Sequence, residues 1–575
     1  MSPLTAGAVA RRLRATAVAP GRVARRSAVR NLTRGEQVTM SPNERDSRSL
    51  SRGAGGHGCC MHSRNGAAHA HEITRRGFLG AVAGTAVGGS ILSGLTWPLL
   101  GRQPPEVPMP PARRPLVVKP ILTYETPQRA HQTSWRGWGG IQTQADAEAE
   151  VRRIEDELAG LRAAADFPLQ TLPVSAVRQA AEVGAIPDLA AADAVVVYAA
   201  GGWMDIFDAI SGSAGAPWPT LARKPMLFFV RHRSGPLYVW YEIISPRYLR
   251  QHSDEPAIAG IDHEDVVVDD QTDLLWRLRA LCGLKNTIGT RIVAVGGAGG
   301  WASEQAPQLA VERFGFDIQT VTYEELGRLI SAARADEQAV ALARRRAAAY
   351  LSDPAVKLET QRAFVENCFL LDQVFRSLMS RAGARAITVN ACMGTIMPIA
   401  ETTACLTLCT LNDDGYLAYC ESDFVVIPAG VLLSNISGRP AFLNDPTFPH
   451  HGIMTLAHCT APRKLDGKTA DPARLVTHFE SDYGAAPKVE FRKGQTVTLI
   501  DTDFAARKWV GMSGTIVDTP FLPVCRSQLD VQFKADCRLI AEKMRGFHWM
   551  LGYGDYLKEV GYALKRTGIA FENLG

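Results

Sequence analysis

The sequence predicts a mixed α/β protein with two Rossmann-like parallel-sheet domains, followed by a mainly antiparallel β domain. Short apolar runs such as 194–200 (AVVVYAA) are typical of strands that are buried on both faces. Helical patterns separate these runs, as expected for a parallel sheet covered by helices. Apolar residues alternate with a period of two at 489–491 and 497–499, which indicates antiparallel strands in the last part of the chain.

The first 115 of the 575 residues differ from the rest. Residues 1–73 are rich in Arg, Ser and Gly without apolar periodicity, which predicts a disordered basic leader. Met40 and Met61 both lie upstream of residues 74–101, so each offers an alternative start of translation. Residues 102–115 contain six Pro and predict a stiff, extended linker.

Residues 74–101 have the pattern of a twin-arginine export signal. Arg75 and Arg76 directly precede an uncharged stretch rich in Gly and Ala. This pattern predicts recognition by the Tat translocase and a periplasmic or otherwise extracytoplasmic body, anchored to the membrane if the segment stays uncleaved. A plain membrane anchor is the alternative, because about 20 apolar residues can span a bilayer.

The charge distribution argues against a nucleic-acid partner. Residues 1–76 hold fourteen Arg and four acidic residues, whereas the whole chain carries a net charge of only +5. The body is therefore mildly acidic and has no basic stripe that would follow a phosphate backbone. Nine of the eleven Cys lie in the body without a C-x-x-C pair, which predicts buried small side chains.

The first domain is expected over residues 116–280. A strand is predicted at 116–122 and a second at 194–200, which leads into Gly201 and Gly202. Between them, apolar residues recur at helical spacing among Glu and Arg, at Val151, Ile154, Leu158 and Leu161.

The second domain is expected over residues 281–462, and the β-rich domain over 463–575. The second domain contains predicted strands at 291–295, 317–321 and 386–389, a helix at 304–314, and a long helical stretch at 332–381 broken near Asp353. In the β-rich domain, strands are also predicted at 514–517 and 529–533, with a final helix near 556–566.

A glycine-rich turn follows the first strand of the second domain. Residues 297–302 (GAGGWA) fit the pattern G-x-G-x-x-A, which can hold a pyrophosphate at a helix N-terminus. A dinucleotide site also needs an acidic residue after the second strand, to bind the ribose. The nearest acidic residue, Glu324, is not cleanly at that position. A tight turn without nucleotide is therefore the favoured interpretation.

Carboxylates and imidazoles gather between residues 390 and 460. The segment holds NDDG at 412–415, CESD at 420–423, NDP at 444–446 and three His. Such donors suit Mn²⁺, Fe²⁺ or a similar divalent metal better than a thiolate zinc site.

The same segments resemble the L-fucose and L-arabinose isomerase superfamily. The similarity is carried by LNDDGYLAYCESDF (411–424), SGRPAFLNDPTF (437–448) and MTLAHCTAP (454–462), and continues to FHWMLGYGDYLKEVGYALKRTGI (547–569). Over residues 386–575 it rests on motifs, whereas over 116–385 it rests only on the succession of two α/β units.

The resemblance implies a role for four residues. Glu421 and Asp445, 24 residues apart, match the two carboxylate metal ligands that also act as the acid/base pair. His548 matches the C-terminal histidine ligand, and His458 matches an additional histidine of the arabinose branch. The metal is expected to be Mn²⁺.

The function expected from this resemblance is a metal-dependent aldose–ketose isomerase that acts on a small sugar by enediol proton transfer. The family also implies a homo-oligomer in which a neighbouring first domain covers the site. Two alternatives stay open: an exported NAD(P)-dependent sugar oxidoreductase using the 297–302 turn, and a sugar-binding relative without catalysis.

Overall fold

The computed structural model describes residues 107–221 and 223–575. The predicted leader and twin-arginine segment lie outside the described residues. The folded body begins with a strand at Leu116, as predicted. The described part of the Pro-rich linker contains no helix or strand. It lies against the body, since Arg376 and Tyr416 both donate hydrogen bonds to the carbonyl of Pro108.

The first sheet is entirely parallel, with the order β2-β1-β4-β5-β6 and β3 also paired to β1. Its β4 is buried throughout, as the apolar run predicted. The first helix buries Ile154, Leu158 and Leu161 and starts at a capping box between Thr143 and Asp146. The elements are β1 (Leu116–Thr123), α1 (Gln144–Ala164), β2 (Leu169–Thr171), β3 (Ser175–Val177), α2 (Ala180–Val183), β4 (Ala194–Ala199), α3 (Met204–Ala214), β5 (Met226–Val230), β6 (Val266–Val268) and α4 (Gln271–Thr287).

The second sheet is also parallel, with the order β11-β10-β7-β8. From β7 the chain first adds β8 on one side. It then crosses to the other side of β7, where it adds β10 and then β11, so the direction of winding reverses between β7 and β10. Ligands bind preferentially at the carboxyl ends of strands beside such a reversal. The elements are β7 (Arg291–Val295), α5 (Ala306–Phe314), β8 (Asp317–Val321), α6 (Tyr323–Ala335), α7 (Glu337–Leu351), β9 (Val356–Leu358), α8 (Arg362–Ala382), β10 (Ala386–Val389), α9 (Cys392–Ala400), α10 (Cys405–Asp413), β11 (Leu417–Cys420) and α11 (Ile427–Ser437).

The long helical stretch expected at 332–381 is divided into three helices and a strand. Asp336 separates α6 from α7, because its side chain accepts hydrogen bonds from the N–H groups of Gln338 and Ala339 and so starts a new helix. The expected break near Asp353 is present, and it is followed by β9.

The C-terminal strands form an antiparallel barrel. Six strands follow the order β16-β19-β12-β13-β18-β17, and pairing between β16 and β17 closes the ring; β20 adds to β17 in parallel. The β-rich part was predicted to begin at residue 463. Because β12 and β13 belong to the barrel, it begins earlier, at Phe442. The elements are β12 (Phe442–Pro446), β13 (Ile453–His458), β14 (Ala473–Val476), β15 (Ala486–Val489), β16 (Thr496–Thr502), β17 (Lys508–Asp518), β18 (Ser527–Phe533), α12 (Cys537–Lys543), β19 (Trp549–Tyr553), α13 (Leu557–Leu564) and β20 (Ala570–Asn573).

The remaining strands β9, β14 and β15 form a separate three-stranded sheet. All nine described Cys are free, and eight of them are buried, as the sequence predicted. Among the described residues, no single helix is both long and apolar enough to cross a membrane; α9 and α10 reach that length only together, with a bend of 90° between them.

Candidate metal centre

The candidate site lies where the second parallel sheet meets one end of the barrel. Glu421 is the first residue after β11, at the carboxyl end of the sheet. Asp445 lies in β12, between β13, which ends at His458, and β19, which His548 precedes. Its neighbour in β13 is Ala457, which precedes His458, and β19 starts directly after His548. The strand register therefore brings the three barrel residues to the same end.

Four predicted side chains converge at this point. Ligand atoms of Glu421, His458 and His548 all lie within 4.8 Å of one another. Nε2 of His548 lies 3.2 Å from Oε2 of Glu421 and 3.3 Å from Oδ1 of Asp445. Nε2 of His458 lies 3.5 Å from Oε1 of Glu421. Asp445 lies outside this group of three, but it approaches the same nitrogen of His548 as Glu421 does.

Both histidines are held through their other ring nitrogen. Nδ1 of His458 is 2.9 Å from Oγ1 of Thr460, and Nδ1 of His548 is 2.7 Å from Oδ2 of Asp423. This arrangement turns both Nε2 atoms toward Glu421. Histidines that bind metals typically have such a partner at the second nitrogen, which fixes the tautomer and the orientation of the ring.

Asp423 contacts His548 but was not singled out from the sequence as a site residue. Its Oδ1 accepts hydrogen bonds from the N–H groups of Trp301 and Val425, while Oδ2 faces His548. Its position two residues after Glu421 at the same strand end was the available signal. Only the three-dimensional structure shows which imidazole it holds.

We expect Asp423→Asn to weaken metal binding about 10–100-fold. The amide would place an NH₂ group against Nδ1 of His548, so the ring would carry its proton on Nε2, the nitrogen that faces Glu421. Calorimetric titration of the chain with Mn²⁺ measures this change. Asp518→Asn, at an exposed barrel position, serves as the control. Equal affinities for the two variants would contradict the positioning role of Asp423.

The glycine-rich turn supports the segment that carries Glu421. Gly299 donates a hydrogen bond to the carbonyl of Ser422 and accepts one from the N–H of Phe424. Gly300 has no room for a side chain, because a Cβ there would lie 2.3 Å from the carbonyl oxygen of Ser303. The N–H groups of Gly299 and Trp301 are therefore engaged within the protein.

The backbone at the ligand itself is strained. Glu421 and Ser422 have φ values of 66° and 47°, in the left-handed region that residues with a side chain rarely adopt. The buried Ser422 also places its hydroxyl where no described residue offers a hydrogen-bond partner. Strain of this kind collects at functional sites, where the surrounding structure holds it in place.

Ser422→Gly is expected to stabilise the metal-free protein by about 1 kcal/mol, because it relieves the left-handed strain and removes the buried hydroxyl. Urea denaturation of the full chain measures the effect. The same substitution at Ser331, within α6, should destabilise by about 0.5–1 kcal/mol instead. A Ser422→Gly variant less stable than the wild type would contradict backbone strain at this position.

The site places negative charge around two buried imidazoles. Burial alone would raise the pKa of Glu421, but hydrogen bonds with His458 and His548 hold it below its usual range. Burial alone would lower the pKa of His548, yet Asp423, Glu421 and Asp445 raise it well above its usual value. Three carboxylates thus lie close to two imidazoles. Burying the carboxylates together is costly unless positive charge balances them, either from protonated imidazoles or from a bound cation.

The other polar residues of 390–460 have structural roles or lie apart. Asp414 forms an ion pair with Arg376, with 2.6 Å between Oδ2 and Nη2. Asn412 bonds both backbone groups of Ala418. His450 and His451 lie exposed in the turn between β12 and β13.

The donor set suits a divalent ion of the Mn²⁺, Fe²⁺ or Zn²⁺ type, because it combines imidazole nitrogen with carboxylate oxygen and contains no thiolate. A scan against protein-family models finds no match for this chain, and a search of curated proteins finds no significant match. The functional conclusion therefore depends on the site and on the resemblance in sequence.

Proposed function

We propose that this protein is a metal-dependent aldose–ketose isomerase that acts on a small sugar. The observation that carries the proposal is the convergence of Glu421, His458 and His548 from separate segments, with Asp445 beside His548. They meet at the carboxyl end of a parallel sheet, where such sheets bind ligands. The same four residues carry the resemblance to the L-fucose and L-arabinose isomerase superfamily. The two parallel sheets would then correspond to the Rossmann-like domains of that family, and a homo-oligomer is part of the proposal.

The exposure of the four side chains suggests how they divide the work. The side chains of Glu421 and Asp445 are 13% and 11% exposed, whereas those of His458 and His548 are 4% and 0% exposed. The carboxylates can therefore reach a substrate, while the imidazoles are confined to holding the ion.

Isomerisation moves a proton between adjacent carbons of the sugar. In the proposed mechanism one carboxylate removes the proton from the carbon next to the carbonyl group and delivers it to the former carbonyl carbon. The other carboxylate moves the hydroxyl proton from one oxygen to the other. Asp423 keeps His548 in the orientation that presents Nε2 to the site. A divalent ion held by these residues would bind substrate oxygens and stabilise the negative charge that develops on them.

The proposal is tested by removing metal from the full chain with a chelator, restoring Mn²⁺, and screening aldohexoses and aldopentoses for ketose formation. We expect turnover only after metal is restored. Metal binding without turnover of any aldose would instead favour a sugar-binding relative that has lost catalysis. Failure to bind any divalent metal would overturn the proposal.

A further inference from the structure

An exposed aromatic platform lies beside the candidate metal centre. The platform consists of Trp301 and Phe547, whose rings stack with 4.6 Å between their centroids and an angle of 17° between their planes. Trp301 is nevertheless 48% exposed. Since Phe547 covers one face of the indole, the exposed area belongs to the other face and the edges.

The platform is joined to the metal centre in two ways. Phe547 directly precedes His548, and the indole of Trp301 lies 6.4 Å from the imidazole of His548, at 70° to it. The N–H of Trp301 donates to Asp423, the same carboxylate that holds His548. The separation of the two rings is comparable with the span of one sugar ring.

The platform is also held firmly in place. The chain reaches Trp301 through Gly299, which pairs with the 422–424 segment, and through Gly300, whose position excludes any side chain. On the other side, the hydroxyl of Ser303 donates to the carbonyl of Phe504 in the turn between β16 and β17. A rigid aromatic surface loses little entropy when it binds a ligand.

We propose that Trp301 binds the C–H face of the cyclic sugar before its ring opens to free the carbonyl group, and so makes the site selective for pyranose rings over open-chain polyols. The negative face of an aromatic ring attracts the weakly positive C–H groups that line one side of a pyranose. Ligand sites commonly combine such an apolar surface with a few polar groups that fix orientation, which here are the residues of the metal centre. This inference rests on the proposed function, because it assigns the substrate class of the same site.

The test uses two probes that cannot be isomerised: 1,5-anhydrohexitols, which are closed rings, and the matching linear hexitols. Both are titrated calorimetrically into the Mn²⁺-loaded full chain. Trp301→Ala should weaken binding of the ring probe about tenfold, the upper end of what an aromatic contact contributes, and leave the linear probe and the affinity for Mn²⁺ unchanged. Trp301→Phe, which keeps a ring, should recover most of the loss.

The outcomes separate this inference from the proposed function. Ring binding that depends on Trp301, in a protein that converts no aldose, would uphold the platform and overturn the isomerase. If the wild type converts an aldose but Trp301→Ala binds both probes as tightly as the wild type does, the platform is overturned and the isomerase is not. Equal weakening for both probes, or no binding of the ring probe by the wild type, would also overturn it.

Discussion

Glu421→Gln is expected to lower the rate of the proposed isomerase reaction about 10²–10⁴-fold, the range typical for loss of one acid/base group. Glutamine keeps the shape of the side chain but removes both its negative charge and its basicity. In the structure Glu421 touches both histidines, so the substitution should also weaken binding of the metal. The rate is therefore measured with saturating Mn²⁺, from the initial rate of ketose formation.

The control for this variant is Glu324→Gln, an exposed carboxylate in the first turn of α6. It should retain the full rate, and both variants should show the same circular dichroism spectrum. Asp445→Asn should lower the rate as much as Glu421→Gln does, since the two carboxylates form the proposed acid/base pair. A Glu421→Gln variant that is as active as Glu324→Gln would exclude Glu421 from the reaction.

The second large effect is expected at His548. Replacing it with Ala removes a buried candidate ligand and leaves Asp423, Glu421 and Asp445 without the imidazole that faces all three of them. We expect the affinity for Mn²⁺ to fall by about 10²-fold or more, with activity partly restored by excess metal. Activity is measured as a function of Mn²⁺ concentration, which separates loss of binding from loss of chemistry.

His451→Ala is the matched control, because this imidazole lies exposed in the turn between β12 and β13. Its Mn²⁺ dependence should equal that of the wild type. If His548→Ala lost activity that no concentration of metal restored, His548 would have a role in the reaction itself. If its metal dependence were unchanged, His458 would be the imidazole ligand that matters.

The sequence predicted the elements whose patterns are local. Strand β4 is a continuous apolar run, and α1 shows helical spacing of apolar residues, so both were recognisable without a structure. The division of α6 from α7 was missed, because the cap at Asp336 interrupts a pattern that otherwise continues. Closure of the barrel was also missed, since pairing of β16 with β17 joins strands into a ring that no local pattern encodes.

The distinction between local patterns and tertiary contacts also holds at the site. Glu421, Asp445, His458 and His548 were predicted, because they lie in segments whose motifs resemble a known superfamily. Asp423 was not, although it lies two residues from Glu421. Its role depends on the orientation of one imidazole 125 residues away along the chain. Trp301 was visible only as part of a glycine-rich turn, and its stacking on Phe547 required the tertiary structure.

The central claim is that Glu421, His458 and His548 hold one divalent ion, with Asp445 beside them. A crystal structure of the full chain grown with Mn²⁺, with anomalous scattering recorded near the manganese edge, tests this most directly. We expect a single strong anomalous peak about 2.0–2.3 Å from Nε2 of both histidines and from a carboxylate oxygen of Glu421. An anomalous map without a peak among these side chains, at Mn²⁺ concentrations that saturate the protein in solution, would contradict it.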